Sequence, residues 1–468
     1  MTNKPLHHAY HKIGTTAKDV SRIWMQGDHL AKAGFNKGTP YESFYNLDTR
    51  TIILRAVKTE SESTRKVSGR KKAGIDKVTP IIELANSELV RVTQDAEKVR
   101  ADFYLGEIHI SIHHLDKKQE NREQRLKDHL SKGYVTKGVL CSGAGISAAA
   151  SHDGLASLGI QARTEFMVDR EQKYNDIALQ NNHSISTNTT IFEASLEELE
   201  PELLGFVDEL HFSLPCSPHS ISGKSKNKNQ TAEEHIDATA VLGLLRVIDY
   251  CQPSVLYSEN VKFAKNSATY QLLLKALEVN NYNVTEVVLD DKDTGSLESR
   301  PRWWFVATSK GLNKADIVNN FPRFDKDIQQ LSDILEKIPK DSEMWKSTEK
   351  QIERTERHKA NGNGFKLNLV DGAATKIGVM GKFYQKNRIS EPHIISHTGT
   401  SSRLLTVTEM AKAQSVPLQL VENTIIGHAY EALGQGIDYR QGFGLSVATA
   451  KSVYLPLMKF KAQQMTPS

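Results

Sequence analysis

Cys216 is the side chain best suited to covalent chemistry in this sequence. It stands in Ser213-Leu214-Pro215-Cys216, just past an apolar stretch, with small polar residues and Lys224 behind it. Proline fixes the backbone angle ahead of the sulfur, and a loop following a strand exposes a thiolate to substrate. A lone intracellular cysteine is more often a small buried apolar residue. The weight comes from its company in the chain. Cys141-Ser142-Gly143-Ala144-Gly145 lies upstream; Glu259-Asn260-Val261, Glu298-Ser299-Arg300-Pro301-Arg302, Arg403 to Glu409 and Gly442 to Val447 follow downstream. A thiol that attacks and a carboxyl that can manage protons are the parts of covalent catalysis.

The elements that must position these groups are those of an open α/β sheet, because strands alternate with helices from Val135 onward. Gly138 to Cys141 reads as a strand entering the glycine turn 143–145. Ala148 to Leu158 reads as a helix, and Thr164 to Val168 as a second strand ending at Asp169. That order holds a nucleoside cofactor in a doubly wound sheet: glycines allow close approach, and the acid binds ribose hydroxyls. Glu209 to Leu214 is a strand feeding Cys216, Ala232 to Asp249 an amphipathic helix, and Ser254 to Ser258 a strand with Glu259 at its C-terminal end. Ala268 to Val279 reads as a helix and Trp303 to Ala307 as a strand. Cys216 and Glu259 thus both lie just beyond strand ends, the edge where open α/β sheets carry their sites. Residues 311–361 look charged and largely helical, and 365–400 irregular and β-like. Thr406 to Ala413 is helical, and Gly442 to Val447 leads into a final helix through Leu457.

Composition sets outer bounds. A chain of 468 residues, 38% hydrophobic and 25% charged, can bury a sizeable core in two or three domains. No apolar run approaches the ~18 residues that span a bilayer, and the polar, His-rich start has no secretory h-region. Cys141, Cys216 and Cys251 show neither metal-ligand nor disulfide spacing, so no metal, no membrane and a reducing cytoplasm are expected. The net charge of +4 permits nucleic-acid binding without demanding it; any basic surface must be local.

The ordered series of blocks resembles the DNA (cytosine-5) methyltransferase family of bacterial and phage type, over about residues 135–310 and 362–460. The resemblance implies a Rossmann-like S-adenosyl-L-methionine-dependent methyltransferase domain with a mixed sheet, a small target recognition domain, and here a β-rich N-terminal accessory domain. It implies transfer of a methyl group to C5 of cytosine in double-stranded DNA, in a restriction–modification setting or alone, by a monomer on DNA. By the same resemblance Cys216 is the nucleophile at C6, and Glu259 contacts N3 and the exocyclic amine. Arg302 orients the base, and Arg300 holds DNA phosphate or the catalytic loop, with a structural ion pair as its alternative. Ser142, Gly143, Ala144 and Gly145 line the methionine part of the cofactor, Asp169 its ribose and Glu193 its adenine; Ser446 and Val447 close the far side. Residues 216–230 read as a loop closing over a flipped base.

The implied layout is 1–130 accessory domain and linker helix, 131–310 catalytic domain, 311–400 target recognition, and 401–468 completing the catalytic domain. In the recognition stretch, Lys382, Lys386 and Arg388 near Phe383 and Tyr384 are expected to contact DNA. Within the accessory domain, residues 14–60 are similar to small swapped-hairpin DNA-binding domains, residues 57–80 form a basic loop, 101–113 a further strand, and Asp116 to Lys132 a helix. The chain departs from the family at Val139, Cys141, Ile146, Ser217, Glu298 and Leu445, which leaves a modified sulfonium donor open. Transfer to RNA, or a catalytically silent DNA-binding regulator, are the other readings.

Overall fold

The structure, a computed structural model, describes residues 4–17, 19–71, 77–94, 96–216, 232–361 and 366–464. It divides into two compact units, residues 1–120 and 121–468.

Among its described residues the first unit has ten strands: β1 His7–Lys12, β2 Gly14–Thr15, β3 Ser21–Gln26, β4 Pro40–Asn46, β5 Thr51–Ala56, β6 Arg65–Lys66, β7 Ser68–Lys71, β8 Val78–Leu84, β9 Lys98–Tyr104 and β10 Glu107–Ile112. They form one sheet ordered β1-β9-β10-β5-β4-β6 and another ordered β2-β3-β8-β7. Alternating apolar residues such as Ile23 and Met25, or Ile52 and Leu54, are fully buried, as period-two strands with one core face require. Two short helices, α1 Asp28–Lys32 and α2 Ser87–Thr93, bring Leu30 and Leu89 into the same core. The fold is larger than the 40-residue hairpin unit expected, and among the described residues every strand pairs within the chain. Residues 101–113 are part of a hairpin, not one strand, because Gly106 takes a positive φ of 80° and reverses the chain. In the basic loop 57–80, residues 65–71 form edge strands, and 72–76 lie outside the described residues.

Helix α3, His114–Leu130, leads into the second unit. There, seven strands follow: β11 Tyr134–Leu140, β12 Gln161–Val168, β13 Thr190–Phe192, β14 Glu209–Phe212, β15 Val255–Asn260, β16 Tyr282–Leu289 and β17 Arg302–Ser309. Their order is β13-β12-β11-β14-β15-β17-β16; the first five run parallel and β17 runs antiparallel to both neighbours. β14 and β15 are buried along their whole length, as expected for strands covered on both faces. Two apolar clusters flank the sheet. One contains residues of α4 Ile146–Ala156, and the other those of α6 Ala240–Cys251 and α7 Ala268–Val279. The helix expected from Ala232 begins only at Ala240, after two 3-10 turns.

Residues 311–361 are less helical than expected. Apart from α8 Asp291–Thr294 just before, their helical elements are α9 Ile317–Asn320, one 3-10 turn and α10 Thr348–Ala360. Pro322 and Pro339 interrupt the interval, and proline removes a helical donor. A small sheet ordered β18-β21-β20-β19 follows, from β18 Lys346–Ser347, β19 Asn368–Val370, β20 Pro392–Ile395 and β21 Ser401–Arg403. The chain then returns through α11 Val407–Ala413, α12 Ile426–Gln435 and α13 Tyr439–Thr449. Gly442 to Val447 already lie inside a helix, α13, which runs on through a π turn at Ala450–Tyr454 into the last helix, α14 Leu455–Gln464. Helix α13 lies directly on α4: a Cβ at Gly154 would meet the Phe443 carbonyl oxygen at 2.6 Å. No helix among the described residues is long and apolar enough to cross a membrane.

Candidate active site

The candidate residues collect at the edge of the sheet where the parallel strands end. β11 runs out into a tight turn in which Cys141, Gly143 and Gly145 all take positive φ (51°, 52° and 74°). The Gly143 amide donates to Asp169 Oδ2 at 2.8 Å, and the Glu171 amide to Asp169 Oδ1 at 3.0 Å. Burial pushes the Asp169 carboxyl up in pKa, and these two amides hold it back. A Cβ at Gly143 would meet nothing within 4 Å, whereas one at Gly145 would strike Asn182 Nδ2 at 2.2 Å. The turn is thus packed from behind and open in front, which suits a nucleoside cofactor laid over its backbone. Glu193 is exposed one residue past β13, next to Asp169, whose amide donates to the Phe192 carbonyl at 3.1 Å.

Beside β11, β14 ends at Phe212 and delivers Ser213 and Cys216. Ser213 Oγ donates to Glu259 Oε2 at 2.9 Å and to the Glu259 carbonyl at 3.1 Å. Arg302 Nε sits 2.7 Å from Glu259 Oε1. Asn260 Nδ2 donates to the Leu214 carbonyl and to Tyr270 Oη, both at 2.9 Å, so the loop before Cys216 is tied to β15. Cys216 is exposed. Its thiol is pushed up by desolvation and by the Glu259 charge, while Arg302 and Arg300 pull it down. Ser213, Asn260 and Tyr270 were not singled out in the sequence; Asn260 stood in view beside Glu259, but nothing local marks a tether. Apart from Cys216 itself, the expected closing loop, 216–230, lies outside the described residues.

Three expectations are corrected by position. Arg300 is 1% exposed and faces inward. Its Nε donates to the Gly436 carbonyl (2.9 Å), Nη2 to Gly434 (2.7 Å), and Nη1 to Met380 (3.1 Å) and Glu298 Oε1 (3.2 Å). A guanidinium committed on all three nitrogens holds no DNA phosphate; the structural ion pair is the one seen. Ser446 and Val447 are buried on α13, with Ser446 Cβ 3.2 Å from the Cβ position of Gly154. Gly154 is eight residues into α4, roughly 12 Å of helix beyond the glycine turn at 1.5 Å per residue, so neither residue lines that turn. Tyr384 is also buried, donating to the Pro392 carbonyl at 2.6 Å and accepting from the Leu405 amide at 2.9 Å.

Two of the departures, Leu445 and Glu298, find physical reasons. Leu445 is 1% exposed within the main core cluster, so it packs and does not face a donor. Glu298 supplies the carboxylate for Arg300. Lys382, Lys386 and Arg388 do surround Phe383, at 5.6, 4.5 and 5.5 Å from its ring. Lys382 also lies 5.4 Å from the ring of Tyr174, on α5 Gln172–Asn181.

Comparison with known proteins agrees with this geometry. Residues 140–450 match the family described as C-5 cytosine-specific DNA methylase. Type II methyltransferase M.HpaII of Haemophilus parainfluenzae is 27% identical over 267 residues, covering 52% of this chain and 72% of its own. Type II methyltransferase M1.ScrFI of Lactococcus lactis subsp. cremoris is 23% identical over 242 residues, covering 49% and 59%. In fold the chain is similar to the Entamoeba histolytica methyltransferase EhMeth (TM-score 0.55, 18% identity, 68% of this chain and 98% of that one). It is also similar to the S. pombe Dnmt2 methyltransferase (TM-score 0.52, 17% identity, 71% and 100%). A family match spanning well over half of the sequence, on a sheet of this order, decides membership: the chain belongs to the C-5 cytosine-specific DNA methylases and is a DNA (cytosine-5-)-methyltransferase using S-adenosyl-L-methionine.

Proposed function

We propose that Cys216 bonds to C6 of a cytosine turned out of duplex DNA, and that C5 is then methylated. The observation that carries this reading is the ion pair between Glu259 and Arg302, 2.7 Å apart, at the strand edge that also delivers Cys216. Cytosine C5 is a poor nucleophile. Addition of the Cys216 thiolate to C6 moves the C5=C6 electron pair into the ring and makes C5 nucleophilic, splitting one hard step into two easier ones. Glu259 faces N3 and the exocyclic amine, where negative charge builds as the sulfur attacks; it donates a proton there only when it is itself protonated. Arg302 fixes the Glu259 carboxylate through Nε, gives Nη1 to the Pro301 carbonyl at 2.9 Å, and offers Nη2 to O2 of the base. The turn Ser142 to Gly145, Asp169 and Glu193 hold S-adenosyl-L-methionine, which supplies an electrophilic methyl group when bound. After methylation, loss of the C5 proton to water and departure of Cys216 restore the ring. A paired base hides both faces of its ring in the stack, so this chemistry requires flipping. The small sheet of β18 to β21 and the cations around Phe383 form the surface that contacts the duplex.

The test is nucleoside mass spectrometry of duplex DNA treated with the purified chain, wild type against Cys216→Ala. A 5-methylcytosine signal that vanishes in the variant supports the reading. Methylation that persists in Cys216→Ala removes Cys216 as nucleophile, and transfer to RNA but not to duplex DNA removes the duplex substrate.

A further inference from the structure

Residues 7–112 contain one series of elements twice. The run β1, β2, β3, α1, β4, β5 is followed by β6, β7, β8, α2, β9, β10. Exchanging the two runs leaves both strand orders unchanged: β1-β9-β10-β5-β4-β6 becomes its own reverse, and so does β2-β3-β8-β7. The register obeys the same exchange. Ile23 pairs with Leu84 and Met25 with Ile82, while Ile52 pairs with Ile110 and Leu54 with Ile108. All eight side chains are buried. Equivalent helix positions, Leu30 with Leu89 and Ala33 with Val92, are buried as well. The first strand of each run pairs with a strand of the other, β1 with β9 and β6 with β4. The unit is therefore an interleaved dimer made from one chain, with a pseudo-twofold axis through the pairs Trp24–Glu83 and Ile53–His109.

We propose that this unit binds duplex DNA at two inverted half-sites through the outer face of the β2-β3-β8-β7 sheet, separately from the methyl-transfer site. A twofold protein element matches the dyad of a duplex, and half-site inversion mirrors the protein's symmetry. Charge singles out an anionic polymer. Residues 1–120 hold 20 Lys and Arg against 15 Asp and Glu, a net +5; the whole chain has 60 against 56, so the remainder stands at −1. Neutralised phosphates supply the sequence-independent part of DNA affinity. Base reading needs polar side chains on a rigid projecting element. The antiparallel pair β3 and β8 is the rigid centre of this four-stranded sheet, and β-sheet readers can present strands to a groove of the duplex. Arg22, Trp24 and Gln26 alternate outward from the buried Ile23 and Met25, and Ser68 and Arg70 extend the face on β7. The Arg22 guanidinium lies over the Trp24 ring at 5.4 Å with Glu83 3.5 Å away, which steadies it at the surface. The two halves have unlike side chains: the exchange puts Ile81 where Arg22 stands. The half-sites are therefore an imperfect inverted repeat.

Selection of binding sites from a random duplex pool, with the full chain and no methyl donor, tests this. The expected result is an imperfect inverted repeat, enriched by the wild type and lost in Arg22→Ala/Arg70→Ala. The dissociation constant for that repeat should rise at least about tenfold per arginine, while methyl transfer at saturating DNA stays within twofold. Arg70→Glu alone, at an exposed edge-strand position, should weaken binding and lower the salt dependence by about one phosphate contact or more. If every enriched motif survives both variants with unchanged affinity, binding belongs to the catalytic unit and the proposal falls. Failure of methyl transfer would leave this binding readout intact, so the two readings fail separately.

Discussion

Replacing Arg300 by methionine separates a structural guanidinium from a DNA-contacting one. Arg300 serves four acceptors: the carbonyls of Met380, Gly434 and Gly436, and the Glu298 carboxylate. Met380 belongs to the segment after β19, and Gly434 and Gly436 to the end of α12, so one side chain joins two distant stretches of chain to the strand edge. In Arg300→Met each buried carbonyl loses a donor, at about 1–3 kcal/mol when nothing replaces it. Glu298 is left as a buried charge 1% exposed, and breaking a buried pair from one side costs about 3–5 kcal/mol. These terms overlap, since the Met380 amide still donates to Glu298 Oε1 at 2.7 Å. A net loss of about 5 kcal/mol is expected, comparable with the whole stability of many domains. Urea unfolding followed by tryptophan fluorescence reads it well, because Trp303, Trp304 and Trp345 lie in the second unit and only Trp24 in the first. Arg300→Lys should recover part of the loss by keeping the charge. The reasoning is refuted if Arg300→Met unfolds within about 0.5 kcal/mol of wild type, the range of surface changes, while its DNA affinity loses one phosphate's worth of salt dependence.

Because desolvation by the surrounding groups and the Glu259 charge raise the Cys216 thiol, kcat/KM should climb close to tenfold per pH unit from neutral toward that raised pKa; a flat profile above pH 7 would mean the thiolate is already formed. Asn260→Ala removes the tether to Leu214 and Tyr270, so single-turnover rates should fall at least about tenfold from misplacement of Cys216, with DNA affinity kept within twofold. Lys137 is fully buried, with its Nζ 2.8 Å from Ser151 Oγ, and burial pushes it down to about 8 from an ordinary 10.5. Between those values the unfolded chain binds the extra proton, so stability should rise with pH across that window, by about 3 kcal/mol in full. Lys137→Met should flatten that part of the pH–stability curve, and an unchanged slope would assign it to other groups.

Much of the catalytic unit was legible because its signals are local. A strand, a glycine turn and an acid at the next strand end carry their own spacing, and Asp169 accepts from Gly143 as that motif requires. Glu259 and Cys216 were placed at strand ends by the same logic. What failed was long-range. Arg300 and Arg302 stand two residues apart with the same chemistry, and only the return of α12, more than a hundred residues later, turns one inward. Ser446 was assigned from the resemblance of a short motif alone, yet its height on α4 is fixed by the Gly154 contact. The duplication in the first unit was hidden because the two runs share burial positions and hardly any side chains; Ile23 and Ile82 match, but Trp24 answers to Glu83.

The antiparallel strand β17 is what makes a site from these parts. In a wholly parallel sheet, the C-terminal edge receives only residues that follow strands. β17 enters from that edge, so Arg302, its first residue, arrives where β15 is finishing. The register pairs Glu259 with Trp304 and Asn260 with Trp303. Arg302 therefore lies two residues beyond the partner of Glu259, on the same face of the sheet, at the diagonal distance long side chains can bridge. Trp303 and Trp304 then anchor the strand from both sides: Trp303 Nε1 donates to Glu286 at 2.9 Å, and Trp304 Nε1 to Gln441 at 3.0 Å. An arginine at a strand start would ordinarily be free to swing into solvent. Here two buried indoles fix the backbone behind it, and the carboxylate ahead of it is held by Ser213. The guanidinium's position is thus set by the sheet before any base arrives, which is the form of preorganisation that lowers a barrier without reorganising charge during the reaction.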